Sequence, residues 1–208
     1  MIFWKQLKII KKVNYKIILL LNVVLIYFLL SVHSYSGNFV KLGSEEAKVK
    51  IKIFSSLTCP HCANFHRNIV PKIKKEYVDN GIAQLIFIDF PLDHAALNAS
   101  KLINCVNADK QIKFLDIIYE KQNKWTSASN IEGINDNLKE LFNELGINIS
   151  NFDKCLNNED IENKILNGRI EAQKKYSINA TPTIIINEEK FKKELSFKNI
   201  KKIIDKII

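Results

Sequence analysis

The alternation of apolar and charged residues predicts two strands in the first half of this chain. Over residues 48–54 (KVKIKIF), Val49, Ile51 and Ile53 share one face while lysines occupy the other, which is the two-residue period of a strand. Residues 83–90 (AQLIFIDF) are almost continuously apolar, which is typical of a largely buried strand. Both segments are therefore predicted to belong to a sheet.

Between these strands the apolar period lengthens to about four residues, which predicts a helix over Pro60–Tyr77. Pro71 is expected to kink this helix, because a proline inside a helix removes a backbone hydrogen bond. Asn80-Gly81 is expected to end it, since glycine is the usual residue just past a helix end. The apolar positions of the helix are Ala63, Phe65, Ile69, Ile73 and Tyr77.

The rest of the chain reads as a block of helices, a short hairpin and a last helix. No segment between the second strand and residue 183 has convincing strand character. Gly146 fits a cap after Leu145. Helical spacing is found over residues 94–108, 110–123, 134–145, 151–157 and 159–176, strand character over 183–186 and, after a turn at 187–189, over 190–192, and helical spacing again over about 197–207.

Without the helical block, the element order is βαβ followed by ββα, which is the order of the thioredoxin core. The sequence therefore predicts an α/β thioredoxin fold over residues 37–208, with an all-helical insert at about 93–178 between the second strand and the strand at 183–186. Glycine is scarce, with only 6 residues, which argues against a turn-rich all-β fold.

Residues 1–36 have the features of a segment that directs export. Lysines precede an apolar run at 17–32, and small residues follow at Ser34 and Ser36, which describes a secretory signal peptide cleaved after Ser36. An uncleaved membrane anchor is the alternative, because the run is at the short end of the lengths that span a bilayer. Either interpretation leaves the lysines on the cytoplasmic side of the membrane and exports the bulk of the chain.

The net charge of +9 does not indicate a nucleic-acid-binding protein. Five of the 31 basic residues lie within residues 1–36, and no acidic residue does. The rest of the chain has 26 basic and 22 acidic residues, or +4, and it shows no clustered basic face of the kind that binds nucleic acid.

The candidate catalytic motif is Cys59-Pro60-His61-Cys62. Two cysteines at this spacing can close a disulfide or supply half of a zinc site, but zinc needs four ligands and the other cysteines are single and far apart. The motif follows a strand and opens a helix, where a thiolate is favoured. Cys59, at the helix start, is expected to be the nucleophile, and Cys62, one turn inside, the resolving cysteine. No metal or other cofactor is expected.

Two further features of the sequence bear on this chemistry, a histidine inside the motif and a proline far downstream. His61 can place a donor or a positive charge beside the thiolate, which stabilises the reduced form and makes the disulfide a stronger oxidant. Thr181-Pro182 directly precedes a strand, and proline is unusual beside a central strand because it has no N–H to donate to the sheet. In thioredoxin folds a proline at this position forms a cis-proline loop beside the active cysteines, so the Thr181-Pro182 bond is expected to be cis.

A CPHC motif after a strand, combined with a Thr-Pro before a strand, resembles the DsbA family of bacterial disulfide oxidases. The likeness covers about residues 39–207 and is carried by FSSLTCPHCANFH at 54–66, IDFPLD at 88–93 and ATPTIIIN at 180–187. It implies a thioredoxin fold with an inserted helical domain. It also implies an oxidising role in the periplasm, on reduced or unfolded exported proteins, and reoxidation by a quinone-linked, DsbB-like membrane partner.

The resemblance also assigns roles to single residues. It implies that Cys59 attacks, that His61 tunes it, that Cys62 resolves the mixed disulfide, and that Thr181-Pro182 faces the substrate. Some members of the family carry a buried acid on the strand before the motif, which assists proton movement. In this chain the inward positions of that strand are apolar, so that route is in doubt: they are Val49, Ile51 and Ile53.

Five residues outside the motif have competing interpretations. Cys105 and Cys155 in an exported chain favour a structural disulfide, the alternative being two buried free thiols. His66 is expected on a helix surface, His94 in a loop or helix cap, and Trp125 in packing.

Two other functions remain open beside the disulfide oxidase. A reductase or isomerase would use the same fold. Dimeric isomerases have an N-terminal dimerisation domain, whereas about a dozen residues separate Ser36 from the first strand here, so a monomer is expected. A chaperone module that uses the helical insert would not need its cysteines, and replacing both would leave its function intact.

Overall fold

A mixed sheet of five strands lies at the centre of the computed structural model, which describes residues 39–144, 146 and 152–208. The expected leader at 1–36, Leu145 and residue 151 lie outside the described residues. The strand order is β1-β3-β2-β4-β5. The strands are β1 (Val40–Leu42), β2 (Val49–Ser55), β3 (Ala83–Asp89), β4 (Thr183–Ile186) and β5 (Glu189–Lys190).

The described helices surround this sheet, and most of them lie between β3 and β4 in the chain. None of the helices in the described ranges is long and apolar enough to cross a membrane. They are α1 (Pro60–Asn68), α2 (Val70–Ile73), α3 (His94–Cys105), α4 (Ala108–Glu120), α5 (Gln122–Trp125), α6 (Ile131–Glu144), α7 (Phe152–Leu156), α8 (Glu159–Tyr176) and α9 (Phe197–Ile207).

The pairing of the strands confirms the thioredoxin core predicted from the sequence. β2 runs parallel to β3 and antiparallel to β4, so the βαβ unit and the ββα unit meet at β2. The face of β2 that carries Val49, Ile51 and Ile53 packs into the main core, together with both cysteines of the motif. The opposite face contributes Phe54 to a smaller core, which also contains Ala172 of α8.

A short strand at the edge of the sheet was missed by the sequence analysis. Residues 37–47 read as a polar lead-in, but Val40–Leu42 forms β1 and pairs antiparallel with residues 85–87 of β3. Three residues are too few to show a two-residue period, so only the neighbouring strand reveals this one.

The helix that follows the motif breaks two residues before Pro71. α1 ends at Asn68, Ile69 has φ −113°, and Pro71 lies in the first turn of α2. A proline ring clashes with the carbonyl four residues earlier, which here belongs to Arg67, so the regular helix is interrupted before Pro71, where the sequence predicted a kink. The chain then passes through a π-helical turn over Lys74–Val78.

Cys105 and Cys155 are joined in a disulfide, with a Cα–Cα distance of 6.0 Å. The bond connects the end of α3 to α7 and closes a loop of 50 residues. In the chain-entropy model, closing a loop of this size lowers the entropy of the unfolded chain and so stabilises the folded protein by up to ~4 kcal/mol. The link therefore holds together helices that the sequence analysis assigned to the insert.

Candidate active site

A loop from the end of β2 carries Cys59 to the start of α1. Cys59 is the N-cap residue, with φ −76° and ψ 119°, and Pro60 is the first helical residue. Since proline lacks an N–H, it begins the helix without losing a hydrogen bond. The first turn of α1 contains no acidic side chain, so the partial positive charge of the helix start acts on the Cys59 sulfur unopposed.

The two cysteines of the motif are free thiols in different surroundings. Cys59 keeps 8% of its surface exposed, and its Sγ donates to the carbonyl oxygen of Thr181 at 3.4 Å. Cys62 keeps only 2%. Burial raises the pKa of the Cys62 thiol to about 12, with the Thr181 side chain and the Ser56 backbone acting in the opposite direction. A thiolate at Cys62 is therefore strongly disfavoured in the reduced protein.

The Thr181-Pro182 peptide bond is cis, which is the geometry expected from the sequence. The carbonyl oxygen of this peptide bond, which belongs to Thr181, faces Cys59 and accepts from its Sγ. The loop and the exposed His61 line one groove of about 380 Å³. The remaining lining residues are Asn64, Phe65, Ile69 and Leu195. The structure thus brings together all five residues predicted for the exchange chemistry and its substrate.

The loop before Cys59 is fixed by the segment that follows β3. The Thr58 hydroxyl donates to Asp93 Oδ2 at 2.6 Å, and Asp93 also caps α3 by accepting from the Ala96 N–H at 2.7 Å. The Leu92 N–H donates to the Ser56 hydroxyl at 3.3 Å. These contacts give a physical reason for the IDFPLD stretch at 88–93, which belongs to the family resemblance.

Gln122 of α5 holds the same loop from the opposite side and was missed in the sequence analysis. Its Nε2 donates to the carbonyl oxygens of Leu57 at 2.7 Å and Cys59 at 3.1 Å, and its side chain is buried. The Cys59 carbonyl has a second donor, the Ala63 N–H at 3.1 Å. Among the described residues, the Leu57 carbonyl accepts its hydrogen bond from Gln122. No pattern in the sequence distinguishes this glutamine from its polar neighbours.

We expect Gln122→Ala to destabilise the reduced protein by about 2 kcal/mol, because it leaves the buried Leu57 carbonyl without a donor. Chemical denaturation measures this loss, and alkylation measures the accessibility of Cys59, which should increase. Gln111→Ala is the matched control, because Gln111 is also buried but donates to Val106, away from the motif. Equal alkylation rates in the two variants would show that Gln122 does not hold the loop.

The interpretation of His66 as a helix-surface residue is wrong. His66 is 6% exposed, and its ring lies between Phe87 at 5.4 Å and Tyr119 at 4.7 Å. Its Nε2 is 2.7 Å from Asp116 Oδ1. The sequence suggested exposure because α1 was treated as a helix with one buried face. Instead α1 packs between the sheet and α4, so a residue off the apolar stripe is buried as well.

The other two aromatic residues lie where the sequence predicted. His94 is exposed and is the first residue of α3, directly after the cap at Asp93. Trp125 is fully buried and its Nε1 donates to the Ile118 carbonyl at 2.9 Å, which is a packing role.

An acid does lie on the buried side of the sheet, one strand away from where the family resemblance would locate it. Asp89 ends β3, and its carboxylate accepts from the Ser100 hydroxyl at 2.7 Å and the Asn104 amide at 3.0 Å. Burial raises the pKa of this carboxyl. A single acid at the end of an almost continuously apolar strand was the available signal, and the sequence analysis assigned it no role.

Comparison with known sequences gives relatives in one group of proteins. A family model described as thioredoxin matches residues 36–206. A Rickettsia prowazekii protein named as a protein-disulfide oxidoreductase is 27% identical over 172 residues, covering 82% of this chain and 62% of its own length. A Bacillus anthracis protein named as a disulfide bond formation protein D is 31% identical over 170 residues, and the match covers 79% of this chain and 76% of that protein. The chain thus spans somewhat less than two thirds of the Rickettsia protein.

Comparison with solved structures agrees with the sequence relatives. Wolbachia pipientis alpha-DsbA1 is 30% identical and superimposes with a TM-score of 0.73, over 82% of this chain and 90% of that protein.

Proposed function

This chain belongs to the thioredoxin family, among the DsbA-like protein-disulfide oxidoreductases, and from that premise we propose that it donates a disulfide to reduced proteins through Cys59 and Cys62. The observation that carries the proposal is the difference between the two thiols. Cys59 lies at a helix start facing the cis-proline loop, whereas Cys62 is buried with a pKa of about 12. A pair of this kind has one sulfur for attack and one for resolution.

The proposed reaction has two displacements. A substrate thiolate attacks the Cys59 sulfur of the oxidised protein, a substrate–Cys59 disulfide forms, and the Cys59–Cys62 bond breaks with its electron pair on Cys62. A second substrate thiolate then attacks the sulfur of the first, and Cys59 leaves as a thiolate. The substrate loses two thiols and gains one disulfide, while the protein loses one disulfide and gains two thiols.

The cis-proline loop is the proposed substrate-binding element. Thr181 and Pro182 line the same groove as His61, so a peptide that reaches Cys59 would lie along them. A backbone carbonyl of this loop already contacts Cys59, which keeps the distance between substrate and sulfur short. The apolar walls of the groove suit an unfolded protein segment better than a small charged molecule.

We assign this activity to the periplasm, because residues 5–36 contain lysines and then an apolar run followed by small residues, which is the pattern of an export signal. The chain would work there as a monomer on reduced exported proteins. Each turnover leaves two thiols, so a membrane reoxidase of the quinone-linked, DsbB-like type would be needed to restore the disulfide.

Equilibration of the Cys59–Cys62 pair with glutathione tests the direction of the reaction. We expect a potential above about −180 mV, towards the value of about −120 mV for DsbA and away from about −270 mV for thioredoxin. A potential near the thioredoxin value would support the reductase instead. If replacing both cysteines with serine left the function in cells intact, the chain would be a chaperone module.

A further inference from the structure

A second groove, of about 720 Å³, lies between the β4–β5 hairpin and helix α9. Apolar side chains of the main core and of its edge form part of its lining, and four lysines and one glutamate form the charged part. A groove of this composition fits a segment of protein that carries both apolar and acidic side chains. The apolar residues of this lysine groove are Ile186, Phe191, Ile203 and Ile207, and the charged residues are Lys190, Lys192, Lys193, Lys206 and Glu189.

Three of the four lysines have no partner within the described part of the chain. Lys190 donates to the Ser177 carbonyl oxygen at 2.8 Å. By contrast, three exposed ammonium groups make neither a hydrogen bond nor an ion pair with a described residue: those of Lys192, Lys193 and Lys206. Ammonium groups that border a groove without a carboxylate of their own are available to a ligand of opposite charge.

The lysine groove begins close to the groove that His61 shares with the cis-proline loop, called here the motif groove. Strand β4 starts directly after the loop, and its last residue, Ile186, lines the lysine groove. This strand spans about 10 Å. On the opposite side, Leu195 lines the motif groove and Lys193, two residues earlier, lines the lysine groove. An extended segment bound at Cys59 would therefore reach the lysines within about four to six residues.

The motif groove itself offers little to distinguish acidic from basic substrates. None of the described residues that line it is a lysine, an arginine or an acid. Selection by charge would therefore have to come from the neighbouring lysine groove. There the four lysines face Glu189, and Glu194 follows Lys193 in the chain, so the rim keeps a net charge of +2.

We propose that the lysine groove binds the part of a reduced exported protein that lies about four to six residues from the attacking cysteine, and that it selects segments with acidic and apolar side chains. The apolar side chains of the substrate would contact Phe191 and Ile203, and its carboxylates would pair with the free lysines. Because the lysines are exposed, these pairs mainly increase the rate of association. The inference rests on the proposed exchange at Cys59 and adds a substrate class to it.

The test compares how fast reduced peptides with one common cysteine-containing core reduce the oxidised protein. Acidic, neutral or basic side chains are placed about four to six positions before the cysteine in one series and after it in another. Rates are divided by the concentration of peptide thiolate, because nearby charges change the pKa of the peptide thiol. In one series the acidic peptide should react about 10-fold faster than the basic peptide at low ionic strength, and only about 2-fold faster at about 0.5 M salt.

Reversing two charges of the rim should reverse this preference. Lys192→Glu/Lys193→Glu leaves two lysines beside four glutamates, so the basic peptide should become the faster one. Both lysines are exposed and unpaired, so the melting temperature should not change. Lys110→Glu/Lys113→Glu is the matched control, because these exposed lysines of α4 also lack a partner among the described residues and line neither groove. This control should keep the wild-type preference.

Acetylation of lysines locates the contact without a change of charge in the groove. When the acidic peptide is linked by a disulfide to Cys59 of the Cys62→Ser variant, Lys192 and Lys193 should be acetylated more slowly, while Lys110 reacts as before. Protection of the two lysines by phosphatidylglycerol vesicles, with none from the linked peptide, would assign the groove to a membrane surface and overturn the inference.

The remaining outcomes separate this inference from the proposed function. If wild type exchanges disulfides with all peptides at the same normalised rate at low salt, the proposed function stands and the inference is overturned. Equal loss of the preference in both double variants would show that it comes from the net charge of the protein, which also overturns the inference. If wild type exchanges with none of the peptides, the proposed function fails, and the substrate class fails with it.

Discussion

Alkylation of the reduced protein near neutral pH is expected to label Cys59 at least about 1000-fold faster than Cys62. An ordinary cysteine with a pKa of about 8.5 is a few per cent thiolate at pH 7. With a pKa of about 12, only about one Cys62 side chain in 100,000 is ionised at that pH, and 2% exposure limits access further. Peptide mapping by mass spectrometry after short reaction times gives both rates.

The unfolded protein provides the control for this prediction. In denaturant both cysteines should react at similar rates, because the burial that separates them is lost. Cys62→Ser should then accumulate a mixed disulfide with a disulfide-bonded protein substrate, because its Cys59 thiolate attacks the substrate disulfide, one substrate thiolate leaves, and no second cysteine resolves the product, whereas Cys59→Ser should form none. Labelling of Cys62 first, or trapping by the Cys59→Ser variant, would reverse the roles of the two sulfurs.

The core elements of the fold could be predicted because their patterns are long and regular. Strand β4, helix α8 and helix α9 have the bounds expected from the apolar period, at 183–186, 159–176 and 197–207. The helices from residue 94 to residue 125 were placed less well. The predicted helix at 94–108 ends at Cys105, and the one at 110–123 is divided between α4 and α5. The helices end because Val106 has an extended backbone and Lys121 has dihedral angles outside the helical range. Neither valine nor lysine is a residue type that marks a helix end in a sequence.

The candidate site divides in a similar way. Cys59, His61, Cys62 and the Thr181-Pro182 loop could be found because cysteine spacing and a proline before a strand are local signals. Gln122 acts on the motif across a long sequence distance, because it contacts residues 63 and 65 positions earlier in the chain. Its role depends on which faces of the helices and loops pack together, and the sequence alone does not show that.

His66 illustrates the same limit from the opposite direction. Its residue type and its position beside the apolar stripe both indicated a surface, but helix α4 covers that surface. The outcome is a buried imidazole one turn after Cys62, in contact with the Tyr119 ring at 4.7 Å. The packing of the helices between β3 and β4 thus decides the surroundings of the motif, and the motif itself does not predict that packing.

Replacing His61 with serine is expected to make the protein a weaker oxidant, by at least about 30 mV. For a two-electron couple this is about 1.4 kcal/mol, or a tenfold change in the equilibrium with glutathione. His61 is exposed, lies two residues after Cys59 at the helix start, and lines the groove in front of the sulfur. It can donate to a Cys59 thiolate or act on it as a cation, and both effects stabilise the reduced protein.

The fraction of Cys59 present as thiolate should change together with the potential in His61→Ser. Because the same contact stabilises both, a tenfold loss of thiolate at a given pH should accompany each shift of about 30 mV, and absorbance of the thiolate near 240 nm measures it. His94→Ser is the matched control, since His94 is also exposed and also begins a helix, but it lies outside the groove of the motif. If both variants keep the wild-type potential, the oxidising character does not come from His61, and the helix start and the Cys62 surroundings must supply it.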